Sequence, residues 1–303
     1  MELILAPLAE ITSTEFRKLC YEGGADRCYS EMISAKALTL KNKKTFKTAS
    51  VDTSEPKTFI QFFGSDPEII KDAVSKVLEN TTPYGIDINA GCPVKKVVKQ
   101  GAGSALMDDP AKLGAIVKAV RSVTQLPLSV KIRKGFKTPN YLKCALVSQE
   151  NGADELIIHP RLRTEMFSGL SDYKVSLDLA KVLDIPVIHS GDIRCAEDLE
   201  KFEGSGVKGA MIGRGVLGAP WIFDILKKRT VEKERKREMM IKHFLFYVFH
   251  KDKKWAHTMM RRHASWYSSG KNGSAEFRNA VFRPEKTVED TVKDIKNFFK
   301  IKL

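Results

Sequence analysis

The sequence has no apolar run close to the roughly 20 residues that a membrane-crossing helix requires. No membrane role is therefore expected. The start, Met1-Glu2-Leu3-Ile4, lacks both a basic segment and a long apolar stretch, so a secretory leader is not expected either. Cysteine is sparse and scattered: Cys20, Cys28, Cys92, Cys144 and Cys195 include no C-x-x-C pair. That spacing argues against zinc and against a disulfide framework, and it fits a reducing cytoplasm. No metal is expected. Acidic residues are in deficit, with 37 Asp and Glu against 51 Lys and Arg, a net charge of +14. A polyanion is the partner that such a balance suits.

A chain of 303 residues can bury about three quarters of its unfolded surface, so a substantial core is expected. Short apolar runs alternate with amphipathic stretches along the first three quarters. Eight strand candidates fall at 3–6, 27–31, 58–63, 85–89, 128–132, 155–159, 185–189 and 209–213. Helix-like segments such as 66–78, 110–123, 140–151 and 196–203 lie between them. This alternation predicts the α/β class with a parallel (β/α)8 TIM barrel. An open doubly wound sheet is the alternative. It would usually carry G-x-G-x-x-G after its first strand, where this chain reads Ala6-Pro7-Leu8-Ala9.

Composition shifts after Trp221-Ile222-Phe223. A charge run covers 227–237, an apolar stretch 239–249, and a basic stretch with aromatics 251–267. A turn at 268–273 and an amphipathic stretch at 287–303 complete the reading as a small all-helical C-terminal domain. The expected division is 1–229 and 230–303. The second part holds 18 Lys and Arg against 9 Asp and Glu, and the first 33 against 28, so most of the excess charge sits in the last quarter. Trp255 and Trp266 read as core residues in preference to base-stacking platforms.

Special residues collect where the strand candidates end: Pro7, Gln61, Asn89 and Cys92, Lys131 and Arg133, His159 and Arg161, Ser190-Gly191-Asp192, and Gly213-Arg214. A barrel enzyme needs its site at that face. Barrels often hold phosphate on the loops after strands seven and eight. Glycine allows close backbone approach there, and Arg214 can grip an anion with two donors. Cys92 stands where the fourth strand opens into a loop bearing Lys95, Lys96 and Lys99. It is a candidate proton donor or nucleophile for an anionic substrate. A lone cysteine in a turn is more often simple packing.

The stretch Asn89-Ala90-Gly91-Cys92-Pro93, followed by Lys95-Lys96 and Gly103-Ser104-Ala105-Leu106, resembles the dihydrouridine synthases, most closely the bacterial B-type subfamily. The likeness runs from Ala6-Pro7 to about Tyr267, and Arg262-His263-Ala264-Ser265-Trp266-Tyr267 is similar to the subfamily's helical-domain motif. The resemblance implies a TIM barrel that carries FMN and reduces C5=C6 of uridine in transfer RNA, with NADPH as reductant and the D-loop as target. Hydride would reach C6 from reduced FMN, and Cys92 would protonate C5. The backbone of Pro7, Leu8 and Ala9 would lie against the flavin, with Gln61, Lys131 and His159 around it. Ser190, Gly191, Asp192, Gly213 and Arg214 would hold its phosphate. Asn89, Lys95, Arg133, Arg161, Arg261 and Arg262 are expected to meet the RNA. A cytoplasmic monomer is expected. The chain departs from the family pattern in carrying Glu10 and Pro160 for glycines, Ser190 for an asparagine and Leu162 for a threonine. Two other readings remain open: a flavin barrel enzyme acting on a free pyrimidine, like the dihydroorotate dehydrogenases, and a flavin-free RNA-binding protein.

Overall fold

Eight parallel strands close on themselves in chain order: β1 (Glu2–Leu5), β2 (Arg27–Ser34), β3 (Thr58–Phe63), β4 (Gly85–Ala90), β5 (Leu128–Gly135), β6 (Glu155–Leu162), β7 (Val187–Ser190) and β8 (Gly209–Ile212). The computed structural model describes residues 1–40 and 42–303. β8 returns to β1 through the pair Leu5↔Ile212, which completes the (β/α)8 barrel. Strands covered on both faces are rich in apolar residues, and β4 is buried along its whole length, Asp87 and Asn89 included.

Outside the barrel the helices Pro67–Leu78 and Pro110–Arg121 each begin on an aspartate, Asp66 and Asp109, whose carboxylate accepts backbone N–H groups of the first turn. Each has proline at its start, where the missing N–H costs nothing. They bury Ile70, Val74, Leu113 and Val117 against outward strand residues such as Ile60, Ile86, Ile88 and Val130. The alternate residues point inward. Low in the barrel, Arg27 forms a bidentate pair with Glu155 at 2.9–3.0 Å, and Tyr29 stacks on Phe59 with centroids 4.9 Å apart.

Two expected elements differ. β7 begins at Val187 instead of residue 185, because Pro186 has no N–H to give the ladder and offers only its carbonyl, to Leu156 N–H. The 196–203 helix shrinks to one turn, Glu197–Glu200, with no buried residue to hold more.

Beyond the barrel run four helices, Lys233–Phe249, Lys253–Ser268, Ser274–Val281 and Val288–Phe299, around Phe244, Tyr247, Met260, Ala264, Val281 and Ile295. The charge run straddles the end of a linker and the first turn of the first of these helices. The Ser274–Val281 helix was not expected. It follows Gly273 in the left-handed region, where a turn alone is the natural reading. The bundle seats against the barrel through Phe16, whose ring lies 5.2 Å from His243 and 5.4 Å from His263. Gly218 lies against it too: a Cβ there would come within 2.5 Å of the Trp266 carbonyl oxygen. Among the described residues no helix is long and apolar enough to cross a membrane.

Candidate active site

Strand alternation aims Gln61, Asn89, Lys131 and His159 into the barrel near its C-terminal mouth. The register puts Gln61 opposite Asp87, Asn89 opposite Lys131, and Arg133 opposite His159. The cysteine loop is built on Asn89. Its Oδ1 accepts the N–H of Gly91 at 3.1 Å and of Cys92 at 2.9 Å, an Asx turn that opens the loop. On the far side, Ser104 N–H donates to the Cys92 carbonyl at 3.0 Å. Gly103 sits at φ +61°, and a Cβ there would lie 2.8 Å from that carbonyl oxygen, so glycine alone fits. The Gly-Ser-Ala-Leu stretch is thus the clasp of the cysteine loop. Cys92 is half-buried. Burial pushes its thiol pKa up, against the opposing pull of a backbone hydrogen bond from Val94 and the charges of Arg133 and Lys131. The net result is a thiol that keeps its proton at neutral pH.

Lys131 is also half-buried, and no hydrogen bond or ion pair engages its ammonium among the described residues. Burial, with Arg133 adding repulsion, lowers its pKa to about 8, while Asp87 and Cys92 pull the other way. His159 is neutral: burial chiefly, then the charges of Lys131, Arg133 and Arg161, hold it well below its ordinary value. Arg161 can only donate to His159 Nε2, at 3.4 Å, so the ring proton belongs on Nδ1.

The loops after β7 and β8 converge on Asp192, which sits at φ +50°. Its carboxylate accepts from Arg161 at 2.6 Å, the Ser171 N–H at 2.8 Å and Arg214 at 3.2 Å. Burial raises its pKa, but the Ser171 amide and Arg161 outweigh that and leave it below the ordinary carboxylate value. Gly191 has φ +155°, and His189 holds it in place. The Nε2–H of His189 donates to the Gly191 carbonyl at 2.8 Å, while Nδ1 takes the Ser176 hydroxyl at 2.8 Å. Arg214 is half exposed and spends two N–H groups within the protein, on Asp192 and, at 3.4 Å, on the Phe167 carbonyl. A Cβ at Gly213 would meet only Ala6 at 3.8 Å and Leu8 at 4.0 Å, so there is room beside the Pro7-Leu8-Ala9 loop.

Several expected residues have other tasks. Arg133 is buried and donates to the carbonyls of Gly91 (2.8 Å), Leu162 (3.0 Å) and Met166 (2.8 Å). Arg161 is buried on Ser168 O, Gly169 O and Asp192. Both arginines therefore work as struts between loops. Gln61 and Asn89 are bonded to each other and to the protein around them. Lys95 is exposed beside the cysteine, and Ser190 is buried at the end of β7. Arg261 lies over Phe282 at 5.7 Å. Arg262 pairs with Glu10 at 2.6 Å, and Glu10 is held at φ +64°, which explains why glycine suits that position. Asp87, Ser129, His189 and Ser176 escaped the sequence reading. Their one signal was a polar residue inside an apolar strand or helix face. A separate cavity of about 610 Å³ opens among Met1, Leu3, Lys208 and Lys227, by the strand starts, and none of these side chains lines it.

A closed parallel barrel with its reactive side chains at the C-terminal mouth and cationic glycine loops after strands seven and eight defines a (β/α)8-barrel enzyme. The chain belongs to the dihydrouridine synthase family, whose model matches residues 4–301. It is 34% identical over 291 residues to a probable tRNA-dihydrouridine synthase of Rickettsia typhi, covering 92% of this chain and 89% of that one. It is 31% identical over 310 residues to tRNA-dihydrouridine synthase B of Pseudomonas syringae pv. tomato, covering 98% and 91%. Among solved structures, a complex of 2-naphthoyl-CoA reductase with 2-naphthoyl-CoA superposes with a TM-score of 0.54 at 11% identity, over 75% of this chain and 50% of that one. That likeness concerns the fold alone.

Proposed function

We propose that this chain reduces the C5=C6 bond of uridine in transfer RNA, as a cytoplasmic monomer that takes FMN as cofactor and NADPH as reductant. The observation that carries the reading is the protonated thiol of Cys92, on a loop clasped by Asn89 and Gly103, next to the unpaired ammonium of Lys131. The residues present suit the cofactor: an unpaired cation in the mouth, open space at Gly213, and Arg214 with donors to spare. When bound, the flavin supplies the hydride that C6 accepts.

Cys92 then gives its proton to C5, breaking S–H as C5–H forms. The thiolate left behind is stabilised by Arg133 and Lys131, the same cations that already oppose its raised pKa. Lys131 stabilises negative charge at the mouth, and His159 offers an Nδ1 proton as a neutral donor. Ser190, Gly191, Asp192, Gly213 and Arg214 hold the cofactor phosphate, and the Pro7-Leu8-Ala9 backbone and Gln61 wall its pocket. Asn89 shapes the loop that faces the base, and Lys95 meets the RNA beside it. Arg133 and Arg161 serve the substrate indirectly, by holding these loops. The uridine must leave the folded RNA to reach the mouth, at a cost of a few kcal/mol. Residues 230–303 act as the RNA-gripping domain and offset that cost through phosphate contacts.

Purified protein should be yellow, release FMN on denaturation, and form dihydrouridine in unmodified transfer RNA but not from free uridine. Turnover of free uridine or dihydroorotate at comparable rates would support a free-pyrimidine enzyme, and colourless protein that binds RNA a binding role.

Two further results are expected. Lys251, Lys253 and Lys254 are exposed at the start of the second C-terminal helix. Each lysine–phosphate pairing removed should flatten the slope of log affinity against log salt by ~0.7–0.9. The triple alanine variant should therefore lose roughly 2–3 from that slope, with flavin reduction by NADPH unchanged. An unaltered slope removes these lysines from the RNA surface. Lys131 is cationic only below its lowered pKa of about 8, so the rate should fall as pH rises through that value. Lys131→Met should show a lower rate without that alkaline limb. The same limb in the variant would assign it to another group.

A further inference from the structure

Beneath the cysteine loop runs a line of buried polar side chains that continues from Asn89 and Gln61 down to Asp87, Ser129 and Tyr29, three residues with no task in the chemistry just described. At its foot Tyr29 donates to Glu155 at 2.9 Å and lies 3.3 Å from the Ser129 hydroxyl. Ser129 donates to Asp87 Oδ1 at 2.5 Å, and Gln61 Nε2 donates to Asp87 Oδ2 at 2.6 Å. Asn89 Nδ2 donates to Gln61 Oε1 at 2.8 Å, and Asn89 Oδ1 receives the Gly91 and Cys92 amides. Asp87 and Ser129 are 0% exposed and Gln61 1%. Burying a carboxyl, an amide and a hydroxyl is costly unless each is bonded, and apolar residues would fill the barrel more cheaply.

The directions in this line are forced. The Gly91 and Cys92 N–H groups only donate, so Asn89 must turn its oxygen toward them and its NH2 toward Gln61. Gln61 must then present its oxygen to Asn89 and its NH2 to position 87. Only an acceptor there completes the chain, and Asp87 places two acceptor oxygens between Gln61 and Ser129. We propose that Asp87 is a positioning residue for proton delivery: through Gln61 and Asn89 it holds the turn that aims the Cys92 thiol. This rests on the reading of Cys92 as the proton donor. Burial also lifts the Asp87 carboxyl to about 7, and the protonated form keeps the same directions by donating to Ser129 while Oδ2 still accepts. Asparagine can do likewise, with its oxygen toward Gln61, its NH2 toward the Ser129 oxygen, and the Ser129 hydroxyl turned to Tyr29.

The test uses the full-length protein with Cys195, the exposed thiol, replaced by serine. Asp87→Leu and Asp87→Asn are compared by the rate at which iodoacetamide alkylates Cys92, by single-turnover reduction of unmodified transfer RNA, and by RNA affinity. In Asp87→Leu the Gln61 amide loses its acceptor, the turn loosens, and the thiol sheds part of its burial. Alkylation should speed up about tenfold, the worth of one unit of thiol pKa. Single-turnover reduction should slow ~10²-fold, the scale of a 1 Å misplacement, with RNA affinity within about twofold. Asp87→Asn should match the parent in all three. A role in stability alone would lower the melting temperature of Asp87→Leu and leave Cys92 alkylation in the folded protein unchanged. That result overturns the proposal. Should Asp87→Leu fail to fold, Gln61→Met removes the link between Asn89 and Asp87 and must show the same faster alkylation. A parent-like rate there also overturns it. Normal product from Cys92→Ala would instead overturn the underlying assignment of the acid, which the alkylation readout does not depend on.

Discussion

Replacing Cys92 by alanine will leave flavin bound and reducible by NADPH, yet stop dihydrouridine from forming. Cys92 stands on the loop after β4, whereas Ser190, Gly191, Asp192, Gly213 and Arg214 stand at the ends of β7 and β8, so their arrangement should persist. The loop itself survives, because it is held through backbone: Asn89 takes the residue-92 N–H, and Ser104 donates to the residue-92 carbonyl. Only the proton is lost. A general acid contributes ~10²–10⁴ to rate, so single-turnover reduction of RNA should fall by that factor. Cys92→Ser should not rescue, since a hydroxyl gives up its proton far less readily than a thiol. Rapid-mixing absorbance of the flavin, followed with and without RNA, separates the two half-reactions. A Cys92→Ala enzyme that oxidises its reduced flavin with RNA at the parent rate would remove Cys92 from the mechanism.

Arg161→Ala should cost both stability and cofactor. The guanidinium is 1% exposed and binds Ser168 O, Gly169 O and Asp192, while reaching toward His159 Nε2. Breaking a buried pair by removing one partner typically costs ~3–5 kcal/mol. Asp192 retains Arg214 and the Ser171 amide, which points to the low end, about 3 kcal/mol. The melting temperature should then fall by roughly 6–10 °C. The loop after β6 and the Asp192 turn lose their common anchor, so the protein should purify largely free of flavin. Lysine should not restore it, because one ammonium cannot reach three diverging acceptors as the planar fork does. A variant that melts with the parent and carries full flavin would show that the loops hold themselves.

The barrel could be read from the chain because parallel strands buried on both faces leave clear apolar runs, and turn residues bracket them. The ends of the strands were legible for the same reason: Cys92, Lys131, His159 and Arg214 each break an apolar pattern at a point where a barrel opens to solvent. What the pattern did not reveal was direction of use. Arg133 and Arg161 read as cations at a mouth, but residues 162–169 fold back and offer them carbonyls, a pairing set by the path of a loop that has no period to read. Asp87 was visible only as the polar half of an alternation. Its weight comes from Gln61 on one side strand and Ser129 on the other, partners 26 and 42 residues away. Arg261 meets Phe282 through a helix pairing that the intervening short helix makes possible, and that helix is too brief to announce itself.

Making dihydrouridine in transfer RNA is the activity on which every site role above depends. The direct measurement is a map of dihydrouridine, position by position, in transfer RNA from cells lacking the gene. Dihydrouridine should disappear from D-loop positions, return with the intact gene, and stay absent with Cys92→Ala even though that protein is flavin-loaded. An unchanged map in the deletion strain, or full restoration by Cys92→Ala, would contradict it.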